Sequence, residues 1–404
     1  MDDLARQYLL VALGVGRLQD GIVDSYYGPV EVAAEAELRA ASAAELVADA
    51  ARVRELAAAD ADPQRALWLD RQLLALETLA RRLDGEEMAY IDEVERCFDA
   101  RPAATPDEIY SRAHRTLDAL LEPGPSLSDR IESRGRRLTV PADRLHEIFE
   151  WLVGEARRDS DRHFPAPAGE ALTVSLVTDQ PWSAYNWYDG NLRSRIEVNT
   201  DLPARAPSLI GLATHEAFPG HHLEHASKEQ RLARELGRSE ASAMLINTPE
   251  ALVSEGLAEL GRRYVMDAER WQELFAGICA RAGIELEADE PARQWQIGDT
   301  LNDLGAVAAD AALLLHEEGR PRDEVVGFLR DAGLQTTERA GKSLSFISHP
   351  LWRTYVFCYS GGEALLAAWC AAAGDVAAQR ARFGRLLTEQ LTPSGMAAEI
   401  VVRT

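Results

Sequence analysis

Apolar residues recur at three-and-four spacing through most of the chain, with Arg and Glu between them, as in helices that bury one face. Residues 1 to about 160 read as helix after helix, most clearly over Ala43 to Leu56 and Pro63 to Leu83. Asp60-Ala61-Asp62-Pro63 is a start signal. Asp62 serves as N-cap and Pro63 takes the first helical position, where a missing N–H is harmless. Pro102 to Pro106 and Pro123-Gly124-Pro125 mark further breaks.

The pattern changes after His163-Phe164-Pro165-Ala166-Pro167. Ala171 to Thr178 alternates and is β-branched, and Ser183 to Tyr188 is aromatic. Ser194 to Val198 follows the turn Asp189-Gly190-Asn191. Together they predict one small antiparallel β-sheet of three strands. From Pro207 the helical period returns, through Ala251 to Met266, Arg270 to Ala282, Leu301 to Glu318, Glu324 to Ala332 and Tyr355 to Ala373. The expectation is a mainly α protein. It comprises an N-terminal helical region, 1–165, and a second region, 166–404, with the sheet near 170–200 and the key helices near 207–266. The two regions form one compact unit.

At 404 residues the chain is long enough for a sizeable core. Its formal charge of −23 repels phosphate backbones and anionic lipid, which argues against nucleic-acid or membrane partners. No apolar run approaches the ~18 to 20 residues of a membrane span. The opening MDDLARQYLLVALG has aspartates where a signal peptide carries basic residues. Cys97, Cys279, Cys358 and Cys370 are scattered and read as buried reduced thiols. A cytoplasmic location is expected.

The chemistry concentrates in His215-Glu216-Ala217-Phe218-Pro219-Gly220-His221-His222. Four of the nine histidines, His215, His221, His222 and His225, fall within eleven residues. In a zinc hydrolase, H-E-x-x-H puts two imidazoles on one helical face and the Glu beside the water to be activated. Here Pro219 stands where the second His should be. On a straight helix His221 would lie about 240° round from His215, and His222 about 10 Å further along. Neither can then share an ion that needs each nitrogen about 2.1 Å away. Pro219-Gly220 must therefore distort the helix, since proline breaks the ladder and glycine accepts unusual dihedrals. Either His221 or His222 is the second ligand. A chelate of His221 with His225 is a third arrangement, but it leaves Glu216 without a role.

Two histidines need a third protein ligand and an open position. Ser254-Glu255-Gly256-Leu257-Ala258-Glu259 lies downstream among apolar neighbours, and a buried carboxylate is costly unless paired or metal-bound. Glu255 is the candidate ligand. Gly256 would let another helix approach closely. Glu259, one turn on, either holds a histidine N–H from behind or pairs in solvent with Arg262 or Arg263.

HEAFPGHH followed by SEGLAEL is similar to a bacterial domain-of-unknown-function family of the gluzincin (peptidase MA) clan, whose signature is H-E-x-x-P-G-H-H. The resemblance covers about 170 to 370. It implies a zincin-like helical fold and a zinc site with His215, His221 or His222, and Glu255 as ligands and Glu216 as general base. His316 resembles the family's H-x-x-G segment and becomes a candidate transition-state donor, beside Tyr355 and Tyr359. Leu257 stands where the family has Trp, Glu363 where it has Gln, and Ala367 near a missing Tyr. Arg353 could meet a substrate carboxylate or be a plain surface arginine. The expected function is a zinc-dependent metallopeptidase acting on a peptide or small amide. A non-peptidase amidase and a non-catalytic zinc-binding helical protein are the alternatives.

Overall fold

The computed structural model describes residues 1–180 and 182–401. The chain begins with helices α1 (Asp3–Leu18), α2 (Val30–Arg39), α3 (Ala43–Ala57), α4 (Pro63–Leu83), α5 (Tyr90–Phe98), α6 (Asp107–Leu120), α7 (Leu127–Arg137) and α8 (Ala142–Asp161), with strand β1 (Val23–Tyr26) after the first. Strands β2 (Ala171–Val177), β3 (Ala184–Gly190) and β4 (Arg193–Asn199) follow, then α9 (Ala206–Glu216), α10 (His221–Lys228) and strand β5 (Ala243–Leu245). The chain closes with α11 (Pro249–Val265), α12 (Ala268–Ala282), α13 (Glu290–Asn302), α14 (Val307–His316), α15 (Arg322–Asp331), α16 (Thr337–Ser348), α17 (Phe357–Ala371), α18 (Val376–Leu386) and α19 (Pro393–Val401). The protein is mainly α, as its periodicity predicts. No helix among the described residues is long and apolar enough to cross a membrane.

Local signals act as read. The Asp62 carboxylate accepts from the Gln64 and Arg65 backbone N–H groups, with Pro63 in the first turn. Ser42 and Glu45 close a capping box on α3. The single helix expected over Leu301 to Glu318 is instead two, parted at residues 303–306 where Asp303 and Gly305 favour a turn.

The sheet has the three predicted strands but is mixed, not antiparallel. Its order is β2-β4-β3, with β2 parallel to β4 and β3 antiparallel to it. Alternation reveals which face a strand buries, not which neighbour it takes. The hairpin joins β3 to β4 through Asn191 and Leu192, both at positive φ, the pair of dihedrals a tight primed turn requires. A second sheet, unforeseen, pairs β1 with β5 antiparallel across more than two hundred residues.

Among the described residues two large apolar cores result, beside a small cluster of Tyr188, Leu192 and Ala226, and both large cores draw on residues from either side of position 165. One joins α1, α3, α4 and α5 to the segment from Ile297 to Cys358. The other joins α8, the three-stranded sheet, α9, α12 and α18. Helix α11 lies between them, giving Ala251 and Leu252 to the first and Val253, Leu257 and Leu260 to the second. It meets α17 backbone on backbone. A Cβ at Gly256 would lie 2.5 Å from the Gly362 carbonyl carbon, and one at Gly362 would lie 2.4 Å from Leu252 O. Only paired glycines permit that approach.

Gly256→Val should therefore cost about 3 kcal/mol or more, since a β-branched side chain must force the two helices apart. Denaturant unfolding measures this. A variant as stable as wild type would show that the two backbones do not meet.

Candidate metal centre

Helix α9 carries Leu209, Ile210 and Ala213 into the second core and leaves His215 on the opposite side. Its ladder stops at Ala217, which has φ −113° and ψ −85° and whose N–H still reaches Ala213 O. The Phe218-Pro219 bond is cis, and the Gly220 N–H turns back to Thr214 O at 3.0 Å. A Cβ at Gly220 would sit 1.8 Å from His215 O, so no other residue fits there. Helix α10 then starts at His221. The interruption required by the motif's spacing is present, at the proline and glycine that predicted it.

The break brings His215 Nε2 and His221 Nε2 to 3.1 Å from each other. Glu255 Oε2 lies 3.4 Å from His215 Nε2, and Glu255 Oε1 3.8 Å from His221 Nε2. One ligand atom from each of the three residues falls within 4.8 Å of the others, a group that could hold a metal ion.

The backs of both rings face oxygens. His215 Nδ1 is 3.4 Å from Glu259 Oε1, and His221 Nδ1 is 3.2 Å from Ser254 Oγ, which itself donates to Glu224 Oε2 at 2.5 Å. Such contacts set the tautomer and turn the Nε2 lone pairs toward a shared point. Glu259 thus stands behind His215, the first of its two expected roles. Tyr355 Oη donates to Glu255 Oε1 at 2.6 Å, while Glu255 Oε2 is buried without a hydrogen bond. Two converging imidazole nitrogens and an orphaned carboxylate oxygen fit a divalent ion that takes N and O ligands.

His222 points the other way. It is fully buried, with Nε2 2.7 Å from Glu170 Oε2 and Nδ1 2.8 Å from Ser194 Oγ, which fastens α10 to the sheet. The structure thus leaves His221, not His222, beside His215. His225 stacks on His221, ring centroids 5.6 Å apart, and forms a second possible donor group with His221 and Glu224. Glu224 is already engaged, by Lys228 Nζ at 2.7 Å and by Ser254. Burial pushes the His225 pKa down to about 3.

Glu216 is buried and lines a cavity of about 440 Å³ with His215, Glu259, Tyr359, Trp182 and Arg262. Its carboxyl has no hydrogen-bond or ion-pair partner among the described residues, and Asn186 Nδ2 holds its backbone carbonyl at 2.6 Å. Burial raises its pKa, with Glu255 and Glu259 adding to the rise and His215 and His221 opposing it. Burial works against charge on His215, but the carboxylates of Glu255 and Glu259 outweigh it and hold its pKa well above the usual value. Tyr359 stands edge-on to Tyr355 at 5.8 Å and opens on the same cavity.

His316 is not brought there. It stacks on Tyr90 at 5.1 Å, and its Nε2 contacts Ile347 O at 2.6 Å. Arg353 pairs with Glu93 and sits over the Tyr90 ring. One residue escaped the sequence reading altogether. Asp24, on β1, accepts a hydrogen bond from Tyr185 and lies close enough to His221 and Glu255 for their charges to act on it. Burial raises its pKa. No local pattern marks it, since β1 reaches the site through pairing with β5 and contacts with β3, both far away in the chain.

No family model matches the chain, and no curated protein does. Several solved structures resemble it, two of them as follows. One is a "putative lipoprotein" from Colwellia psychrerythraea, 13% identical with a TM-score of 0.56, covering 90% of this chain and 67% of that one. The other is a "putative lipoprotein of unknown function" from Shewanella oneidensis, 12% identical with a TM-score of 0.51, covering 98% and 82%. At these identities the likeness concerns the fold alone.

His222→Ala should lower unfolding free energy by about 2 kcal/mol, because the buried Glu170 carboxylate loses its hydrogen bond from α10 and keeps only Arg157. Metal content should be retained. His221→Ala should do the reverse, losing metal with less loss of stability, and equal metal loss in a folded His222→Ala protein would sink the assignment. The Glu170 carboxyl is held below its ordinary pKa, since the hydrogen bond from His222 and the charges of His222 and Arg157 outweigh the upward push of burial. A depressed carboxylate stabilises the fold above its unfolded pKa and loses that contribution as pH falls through the folded value. Melting temperature should thus drop below pH about 4.5, less steeply in His222→Ala.

Proposed function

We propose that this protein is a zinc-dependent hydrolase, most simply a metallopeptidase that cleaves peptide bonds. The observation that carries the reading is the convergence of His215, His221 and Glu255 within 4.8 Å, beside the buried and unpartnered carboxyl of Glu216. His215, His221 and Glu255 would hold the ion through Nε2, Nε2 and a carboxylate oxygen. When bound, zinc supplies Lewis acidity and brings the pKa of a coordinated water towards ~7.

The chain's own groups do the rest. Glu216 accepts the proton of the attacking water and returns it to the leaving amine, a task that a carboxyl with a raised pKa performs near neutrality. Tyr359, which lines the cavity, is the candidate donor to the developing oxyanion. The placement of His316 against Tyr90 and Ile347 supports no such role for it. Glu259 and Ser254 hold the ligand rings in the required tautomer. Strand β3 is an edge of its sheet and its first residue, Ala184, lines the cavity, which supports docking of an extended peptide by strand addition. The four cysteines are buried and unpaired, as a reducing cytoplasm allows.

Purified protein reconstituted with zinc at neutral pH should hold one ion per chain. His215→Ala and Glu255→Ala should bind less than about a tenth of it. Glu216→Gln should keep the ion but lose about a hundredfold or more in peptide hydrolysis, the range of a lost general base. Absence of stoichiometric metal in wild type ends the proposal. Unchanged turnover in Glu216→Gln would remove Glu216 as the base, and no turnover by zinc-loaded wild type would favour the non-catalytic alternative.

A further inference from the structure

Glu255, Glu259 and Arg262 follow one another at four and three residues on α11, so they share one face of the helix that supplies the third ligand. Arg262 lines the same cavity as His215 and Glu216. Its guanidinium is half-buried and lies over the Trp295 ring, 5.3 Å from the centroid. Trp295 is propped in turn by Trp271, ring centroids 5.5 Å apart. Yet among the described residues no carboxylate comes within 4.0 Å of the Arg262 guanidinium, and its side chain makes no hydrogen bond.

Two of the neighbouring carboxylates have partners, and the third, Asp299 on α13, comes no nearer than 4.0 Å to the guanidinium. Arg263 is paired with Glu363, and Glu259 faces His215 Nδ1. Burial presses the Arg262 pKa down, Arg263 presses with it, and the carboxylates of Asp299, Glu259 and Glu363 only partly compensate. An arginine seated on an aromatic face with its N–H fork unused, in a site where its charge is poorly matched, is preorganised to take a planar anion.

We propose that Arg262 receives the C-terminal carboxylate of a short peptide, making the protein an enzyme for chain ends. The inference rests on the metallopeptidase reading above and gives it a substrate class. The reach is consistent. Seven residues of helix separate Glu255 from Arg262, about 10 Å along the axis. That matches two to three residues of extended chain at ~3.3 Å each between the scissile bond and the terminal carboxylate.

The test uses full-length, zinc-loaded Glu216→Gln protein, so that binding is read without turnover. A pool of acetyl-capped tripeptides and tetrapeptides, supplied as free acids and as amides, is dialysed against it and retention measured by mass spectrometry. Free acids should be retained about tenfold or more over their amides, as a charge-assisted bidentate contact gives. Adding Arg262→Gln should abolish the preference. Adding Arg262→Lys should restore part of it, since the charge remains without the fork. Zinc content and circular dichroism of each variant establish that the fold is kept. Equal retention of acids and amides, retention of neither, or a preference that survives Arg262→Gln overturns the inference. The underlying reading is judged separately, by zinc stoichiometry and Glu216-dependent cleavage in the Arg262-intact protein. An acid preference without cleavage would leave the anion pocket standing and the peptidase reading fallen.

Discussion

Two imidazoles six residues apart cannot meet on one straight helix, and the centre of this molecule is organised around that constraint. Breaking α9 at Ala217 lets His221 come round to His215. The same break reverses the direction of His222, which becomes a buried anchor to β4 through Ser194 and to Glu170. Strand β3 closes the arrangement by holding the Glu216 carbonyl through Asn186. Three side-chain contacts thus tie the helix pair to the sheet and the loop before it. Pro219 also packs against Gly261, where a Cβ would come within 2.8 Å of its ring, so the break is wedged against α11 as well.

The electrostatics of the centre follow from what that geometry collects. Five carboxyl groups come together there, Glu216, Glu224 and Glu255 buried, Asp24 half-buried and Glu259 exposed. Lys228 neutralises Glu224 and two tyrosines donate to Asp24 and Glu255. Such a concentration of carboxyl groups is costly unless a cation shares it. The histidines serve that end in part, as their effect on Glu255 shows: burial would raise its pKa, yet its contacts with His215 and His221 hold it below the usual range.

Much of this was legible in the chain, and the rest was hidden for identifiable reasons. The helix interruption followed from residue spacing and covalent geometry, so it needed no knowledge of the fold. Glu255 stood out because its neighbours were apolar, and Gly256 announced a close helix crossing that Gly362 supplies. The choice between His221 and His222 was beyond reach, because it turns on Glu170 and Ser194, fifty-two and twenty-eight residues away. The parallel pairing of β2 and β4 was equally hidden, since alternation carries no information about strand neighbours. His316 shared a local pattern with a family segment, but contacts made by Tyr90 and Ile347 decide its position. By spacing alone Arg262 is a possible partner for Glu259, whereas the helix places it over Trp295.

The pairing of β1 with β5 bears on how the protein is made. The centre draws Asp24 from near the start of the chain, its ligands from the middle, and Tyr355 from near the end. Contacts of such long sequence separation form slowly, because loop closure must precede any gain. A nascent chain therefore carries its histidines before the groups that enclose them exist. They are enclosed only once the segment that bears Tyr355 has followed them out of the ribosome.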